Sequence, residues 1–387
     1  MNKKGCIMDY RPFCSTEIVY TNRKNMQRLI LSLNSVNLVL IMSESSSIRW
    51  NMTSFIEQLE EKCKSMDGTF IWIKNIKPNP TPKDIMQALH FIGDKKVDVI
   101  IALGGGSAID LAKGISAFYN SKKNTEYTIE QITENIKLRE YENRRLVDVI
   151  AIPSTAGTGS EVTQWATIWD ESNHTKLSID NPMLQPKMAI IVPELTLSMP
   201  AKITLSSGLD AISHAIESYW SKHTNPIVQE IAYRAIELIV QNLREAIEEP
   251  YNLIIREDLC KASLLAGLAF SQTRTTACHS ISYPLTMFYN IPHGLAAAIT
   301  LDAVSKINKG HFPNDAMLFD LFDEYGGIMN WINMVSEGVV EMKLSSFGIK
   351  LQDIKFIAGN AFTSGRMDNN PVNLTKNDVE KILHSIL

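Results

Sequence analysis

A chain of 387 residues exceeds the length at which one hydrophobic core usually keeps growing, so two domains are expected. Its net charge of −4, dispersed and without a long basic run, argues against nucleic-acid binding and against docking on an anionic membrane, and favours small-molecule chemistry. Cys6, Cys14, Cys63, Cys260 and Cys278 are odd in number and lack CxxC spacing, the first residues lack the apolar run expected of a signal peptide, and no segment has the apolar length expected of a membrane span. The expectation is a soluble cytoplasmic protein without a disulfide framework or a structural zinc knuckle.

Taken in chain order, a turn-rich start leads to a predicted helix near Asn25 to Leu33, then a β-branched run, Val36 to Met42, of strand length. Ser43, Glu44 and a serine cluster follow and suit the cap of one helix running to about Cys63. Glu44 either accepts hydrogen bonds from an adenosine ribose or favours the positive end of the next helix. After a short strand, Pro78, Asn79, Pro80, Thr81 and Pro82 mark a loop. Val97 to Leu103 then reads as a buried strand, Gly104 to Gly106 as a tight turn, and Ser107 onward as a helix. Glycines let a pyrophosphate approach the backbone, and the free amides of a helix start favour its charge. A second strand, Leu146 to Ile152, leads to a loop rich in hydroxyls and glycine, Ser154 to Ser160. Two such loops beside two buried strands suit a dinucleotide held at the carboxyl edge of a doubly wound sheet. A last strand, Met188 to Val192, ends the alternating region, and Pro193 to Thr204 reads as the crossing between domains.

From Leu205 onward the pattern is helical, with segments predicted at 205–221, 226–248, 255–270, 294–305, 350–363 and 375–386. The expected fold is an α/β dinucleotide-binding domain, residues 1–200, with a mostly parallel sheet, followed by an all-helical metal and substrate domain, 201–387. In GLDAISHAIESYW, Asp210 and His214 leave one helix face a turn apart and can grip one ion. His279 and His293, the latter at a predicted helix start, offer two more imidazoles. Spacing leaves open whether His214 and His279 meet.

Together, KPNPT (77–81), GGGSAIDLAK (104–113), IPSTAGTGSEVT (152–163), PELTLSMP (193–200), GLDAISHAIESY (208–219) and YNIPHG (289–294) resemble the iron-containing, or group III, alcohol dehydrogenases over nearly the whole chain. The resemblance implies a divalent metal, Fe2+ or Zn2+, on Asp210, His214, His279 and His293. It also implies NAD(H) or NADP(H) contacted by Asn79, Gly105, Gly106, Ser107, Asp110, Thr155, Thr158 and Lys176, with Glu44 near the ribose. A slip of one residue there substitutes Ser43 or Ser45 for Glu44. A homodimer is also implied. The expected chemistry is hydride transfer from the reduced nicotinamide to a carbonyl polarised by the metal. Where many relatives carry a further His, four residues after the third ligand, this chain has Tyr283, a possible proton relay.

Just before His279, Arg274 stands beside Thr275 and Thr276. This group suits a phosphate, phosphonate or carboxylate, unless Arg274 is a surface residue paired with a carboxylate. RTTACHSISYPLT resembles the phosphonoacetaldehyde reductases of that family, which implies a small anionic aldehyde as substrate and 2-hydroxyethylphosphonate as product. The alternatives are a general short-chain alcohol dehydrogenase and a lyase of dehydroquinate-synthase type that recycles bound NAD.

Overall fold

The apolar runs of the first half pair side by side in parallel, as expected of strands covered by helices on both faces. The computed structural model describes residues 13–141, 146–173 and 175–387; Cys6 and His174 lie outside them. Its strands are β1 (Glu17–Tyr20), β2 (Leu38–Ile41), β3 (Phe70–Ile73), β4 (Val99–Gly104), β5 (Asp148–Pro153), β6 (Trp165–Asp170), β7 (Thr175–Asp180) and β8 (Met188–Ile191). Six of them form an all-parallel sheet in the order β1-β8-β5-β4-β2-β3, while β6 and β7 form an antiparallel hairpin. Helices α1 (Arg23–Leu31), α2 (Glu44–Arg49), α3 (Thr53–Ser65), α4 (Pro82–Ile92), α5 (Gly106–Phe118) and α6 (Ile129–Lys137) complete this part. Alternate strand residues serve opposite faces. Val39, Ile41, Ile100 and Ala102 pack with Ile85, Leu89 and Ile109, whereas Leu38, Leu40, Val99 and Ile101 pack with Met26, Ile30, Phe55 and Leu59.

The chain passes from β2 to β3 on one side and returns to β4 on the other, so the strand order reverses between β2 and β4. A crevice therefore opens at their carboxyl ends, where open α/β sheets hold ligands. Ser43 follows β2 there and caps α2, while the glycine turn follows β4.

A helical C-terminal domain follows: α7 (Ala201–Trp220), α8 (Pro226–Glu248), α9 (Leu253–Thr273), α10 (Ala277–Tyr289), α11 (His293–Ala298), α12 (Leu301–Asn308), α13 (Asp315–Asp320), α14 (Ile328–Ser336), α15 (Ile354–Gly359) and α16 (Lys376–Ser385). Helix α7 is packed against α8, α9 and α11, which is why its polar face is as buried as its apolar one. Among the described residues no helix is long and apolar enough to cross a membrane, and Cys14, Cys63, Cys260 and Cys278 are free thiols.

Some expectations are corrected. The helix predicted from Ser43 to Cys63 is two, α2 and α3, because the chain turns at Asn51 with φ +51°. The segment 294–305 likewise divides into α11 and α12, and 350–363 shortens to a 3-10 turn, Leu351–Asp353, followed by α15. Strand β1 and the β6–β7 hairpin were not anticipated, nor was α10, whose Pro284 masks it as a break.

Candidate active site

The carboxyl end of β4 shapes the first wall. Gly105 is the N-cap of α5 without any side-chain hydrogen bond, so the first amides of that helix face the crevice, an arrangement suited to phosphate. Gly106 has no room for a side chain: a Cβ there would lie 2.7 Å from Thr158 Cγ2. The Asn79 N–H donates to Ser107 Oγ at 3.1 Å, bringing the proline-rich loop against the same helix start.

Behind this wall, Asp110 accepts from Ser160 Oγ at 2.6 Å and from the Thr167 amide at 3.1 Å, so its carboxylate joins α5 to the second loop and to β6. Lys113, one turn on and fully buried, donates to the carbonyls of Ser160, Thr163 and Trp165 at 2.6, 2.8 and 2.9 Å. Burial pulls its pKa down to about 8 against the opposing charges of Asp110 and Glu161, and pushes Glu161 up to about 7. Lys113 stood in the GGGSAIDLAK motif, but nothing local distinguishes a buried Lys from an exposed one.

A cavity of about 540 Å3 runs from this wall to the helical domain, lined at one end by Ser43, Gly105 and Thr155 and at the other by Asp210, His214 and His293. Asn79, Gly106, Ser107, Asp110, Thr158 and Lys176 also line it. Glu44 does not. Its side chain is 66% exposed and 3.6 Å from Lys74, and Ser43 and Ser46 take its place on the wall.

At the inner end, one ligand atom each of Asp210, His279 and His293 lie within 4.8 Å of one another. Asp210 Oδ1 and His279 Nε2, 3.6 Å apart, are buried without a hydrogen-bond partner. Two such orphaned acceptors are costly unless something cationic lies between them. A carboxylate with imidazoles fits Fe2+ or Zn2+. His214 lines the same cavity with its ring stacked 4.5 Å from that of His279 and 4.1 Å from Phe270, and its Nδ1 is 3.3 Å from the Gly157 carbonyl. It stands beside the three-residue group, not within it.

Sequence reasoning missed Glu217. This fully buried carboxylate lies one turn past His214 and accepts from Thr276 Oγ1 and the Cys278 amide, both at 2.7 Å, and from the Nδ1 of His279. Accepting at Nδ1 directs the lone pair of Nε2 toward Asp210. The i, i+4, i+7 spacing of Asp210, His214 and Glu217 was its only signal.

The remaining wall is cationic. Lys176 Nζ sits 3.9 Å from the centre of the Tyr283 ring, which in turn stacks on His293 at 5.9 Å. Burial by itself would raise the Tyr283 phenol, but the positive charges of Lys176 and Arg366 outweigh it and bring its pKa down to about 7. Arg366 lines the cavity too and was not anticipated.

The expected Arg274, Thr275 and Thr276 group is dispersed. Arg274 Nη2 pairs with Asp180 Oδ2 at 2.6 Å and faces a separate cavity. Thr276 turns into the core, where it donates to Glu217 and accepts from Trp220 Nε1. Only Thr275 lines the first cavity, and its Oγ1 is buried without a partner.

Comparison with known proteins agrees with this arrangement. Residues 16–193 match the family model "Iron-containing alcohol dehydrogenase", and residues 204–387 match "Fe-containing alcohol dehydrogenase family, C-terminal". Alcohol dehydrogenase 4 of Schizosaccharomyces pombe is 30% identical over 325 residues, 81% of this chain and 74% of that protein. The NADPH-dependent butanol dehydrogenase of Clostridium saccharobutylicum is 29% identical over 382 residues, covering 95% and 96% of the two chains. Among solved structures, the sulfoacetaldehyde reductase of Bifidobacterium kashiwanohense in complex with NAD+ superposes with a TM-score of 0.80 at 27% identity, covering 99% of both chains.

Proposed function

The chain belongs to the iron-containing alcohol dehydrogenase family and is an alcohol/aldehyde oxidoreductase, and from that premise we propose that it is a metal-dependent, NAD(P)H-linked reductase of a small anionic aldehyde. The observation that carries the reading is the pair of orphaned buried atoms, Asp210 Oδ1 and His279 Nε2, at the inner end of a cavity whose outer end is a glycine turn and a helix start. Asp210, His279 and His293 would hold the divalent cation, with His214 beside them available as a fourth ligand. Gly105, Gly106, Ser107, Thr155 and Thr158 cradle the dinucleotide, and the domains divide between residues 200 and 201.

When bound, the cation polarises the carbonyl oxygen and the reduced nicotinamide supplies hydride. The protein's own groups do the rest. The bare Gly105–Gly106 backbone admits the pyrophosphate, and Asp110 and Lys113 keep the second loop in register with it. Glu217 orients His279. Tyr283, held between Lys176 and His293, is the group placed to deliver a proton to the product oxygen.

Phosphonoacetaldehyde, reduced to 2-hydroxyethylphosphonate, is the leading substrate. It is a two-carbon aldehyde with an anionic group, as is sulfoacetaldehyde, the substrate named for one structural neighbour. The test is steady-state NADH oxidation by protein reconstituted anaerobically with ferrous iron, comparing phosphonoacetaldehyde with acetaldehyde and propanal. A large preference in kcat/KM for the phosphonate supports the reading. Comparable rates on all three would make the protein a general short-chain alcohol dehydrogenase, and conversion without net NADH consumption would indicate recycling of bound cofactor.

A further inference from the structure

A second cavity, of about 500 Å3, lies behind the first, and Trp169, Lys176, Tyr283 and Arg366 line both. Lys176, Arg274 and Arg366 line it together with the carboxylate of Asp180. That carboxylate is engaged: Arg274 pairs with its Oδ2, and Gln164 Nε2 donates to its Oδ1 at 2.7 Å. Among the described residues neither Lys176 nor Arg366 has an ion-pair partner. The guanidinium of Arg366 donates, among the described residues, only to the Gly365 carbonyl, at 2.7 Å, which leaves most of its five N–H groups without an acceptor there.

The backbone of Arg366 is held in place relative to Thr275. Buried Asn369 donates from Nδ2 to the carbonyl of Gly365 at 2.9 Å and to that of Thr275 at 3.1 Å, so one amide ties the turn carrying Arg366 to the residue whose hydroxyl is orphaned. A half-buried guanidinium, a half-buried ammonium and a buried hydroxyl without a partner thus line the first cavity together with His279 and His293. A planar guanidinium fork is suited to an oxyanion, and a neutral aldehyde gives it nothing to bind.

We propose that Arg366, with Thr275 and Lys176, binds the anionic group of the substrate, and that Arg366 determines the preference for a phosphonate or similar oxyanion over a neutral aldehyde. This deepens the reductase reading and rests on it for the identity of the substrate. Arg274, the residue the sequence singled out, instead pairs with Asp180.

The test is calorimetric titration of the iron-loaded protein, with NAD+ present, using 2-hydroxyethylphosphonate as the probe, together with kcat/KM for phosphonoacetaldehyde and for propanal. Arg366→Gln should weaken probe binding tenfold to about a hundredfold, as expected for loss of charge-assisted hydrogen bonds. It should lower kcat/KM for phosphonoacetaldehyde by a similar factor and that for propanal by a smaller one, since the charge of Arg366 also acts on Tyr283. Arg366→Lys, which keeps the charge and the volume, should recover part of the loss. Unchanged probe affinity in Arg366→Gln overturns the proposal. So does an equal loss on both aldehydes that Arg366→Lys does not relieve, which would mark a structural role. Wild-type protein that reduces propanal but does not bind the probe overturns the anion site and leaves the reductase standing. Probe binding that depends on Arg366, in a protein that oxidises no NADH with any aldehyde, supports the anion site and removes the reductase.

Discussion

Glu217 accepts the Nδ1 proton of His279 from the neighbouring helix, and this contact decides which ring nitrogen of His279 faces Asp210. The carboxylate is fully buried and has four donors, so it is held as rigidly as the imidazole it orients. Outer carboxylates of this kind typically contribute ten- to a hundredfold to metal affinity.

Glu217→Gln should therefore retain less metal while remaining folded, since the amide preserves the volume and one acceptor. Chelator competition, read as bound iron against free chelator, should show affinity reduced about tenfold or more. Iron retention equal to wild type would show that His279 needs no help from Glu217.

Lys113→Met should destabilise the protein by about 3 kcal/mol or more, because it removes three donations to loop carbonyls and leaves Asp110 and Glu161 buried without their cation. Urea unfolding would measure this, and an unchanged midpoint would refute it. The pH dependence should change too. Burial lowers Lys113 from 10.5 to about 8, so between those values the unfolded chain holds a proton that the folded chain has released. Its contribution to stability therefore rises with pH across that window and is lost as pH falls through 8. In Lys113→Met that component of the rise should be absent.

Gly106→Val places a branched side chain where even a Cβ would be 2.7 Å from Thr158 Cγ2. Relief requires Thr158 or the helix start to move, at about 1–3 kcal/mol for an overpacked site. NADH binding, followed by fluorescence titration, should weaken at least about tenfold. Affinity equal to wild type would argue that the dinucleotide does not cross this turn.

Arg274→Gln should leave the preference among aldehydes unchanged, because Arg274 pairs with Asp180 outside the first cavity. With its side chain 41% exposed, loss of the pair should cost no more than about 1 kcal/mol. A selective loss of activity on phosphonoacetaldehyde would return Arg274 to the substrate site.

What the sequence by itself determined was local. Asp210 and His214 share a helix face because the helical repeat places them there, and Gly104 to Gly106 must turn because they follow a buried strand and precede a helix. The strand runs at Leu38, Val99 and Ile150 were legible because both their faces are buried, whereas β1, short and largely exposed, and the β6–β7 hairpin carried no such run. What only the tertiary structure decided was which way side chains point once helices meet. Arg274, Thr275 and Thr276 are consecutive and outside any helix, so they diverge: one goes to the second cavity, one to the first and one into the core. Glu217 and His279 are 62 residues apart, and Arg366 reaches Tyr283 from near the end of the chain. No periodicity links such residues. They are joined by the packing of α7 against its neighbours and by the Asn369 side chain, contacts that exist only after the chain has folded.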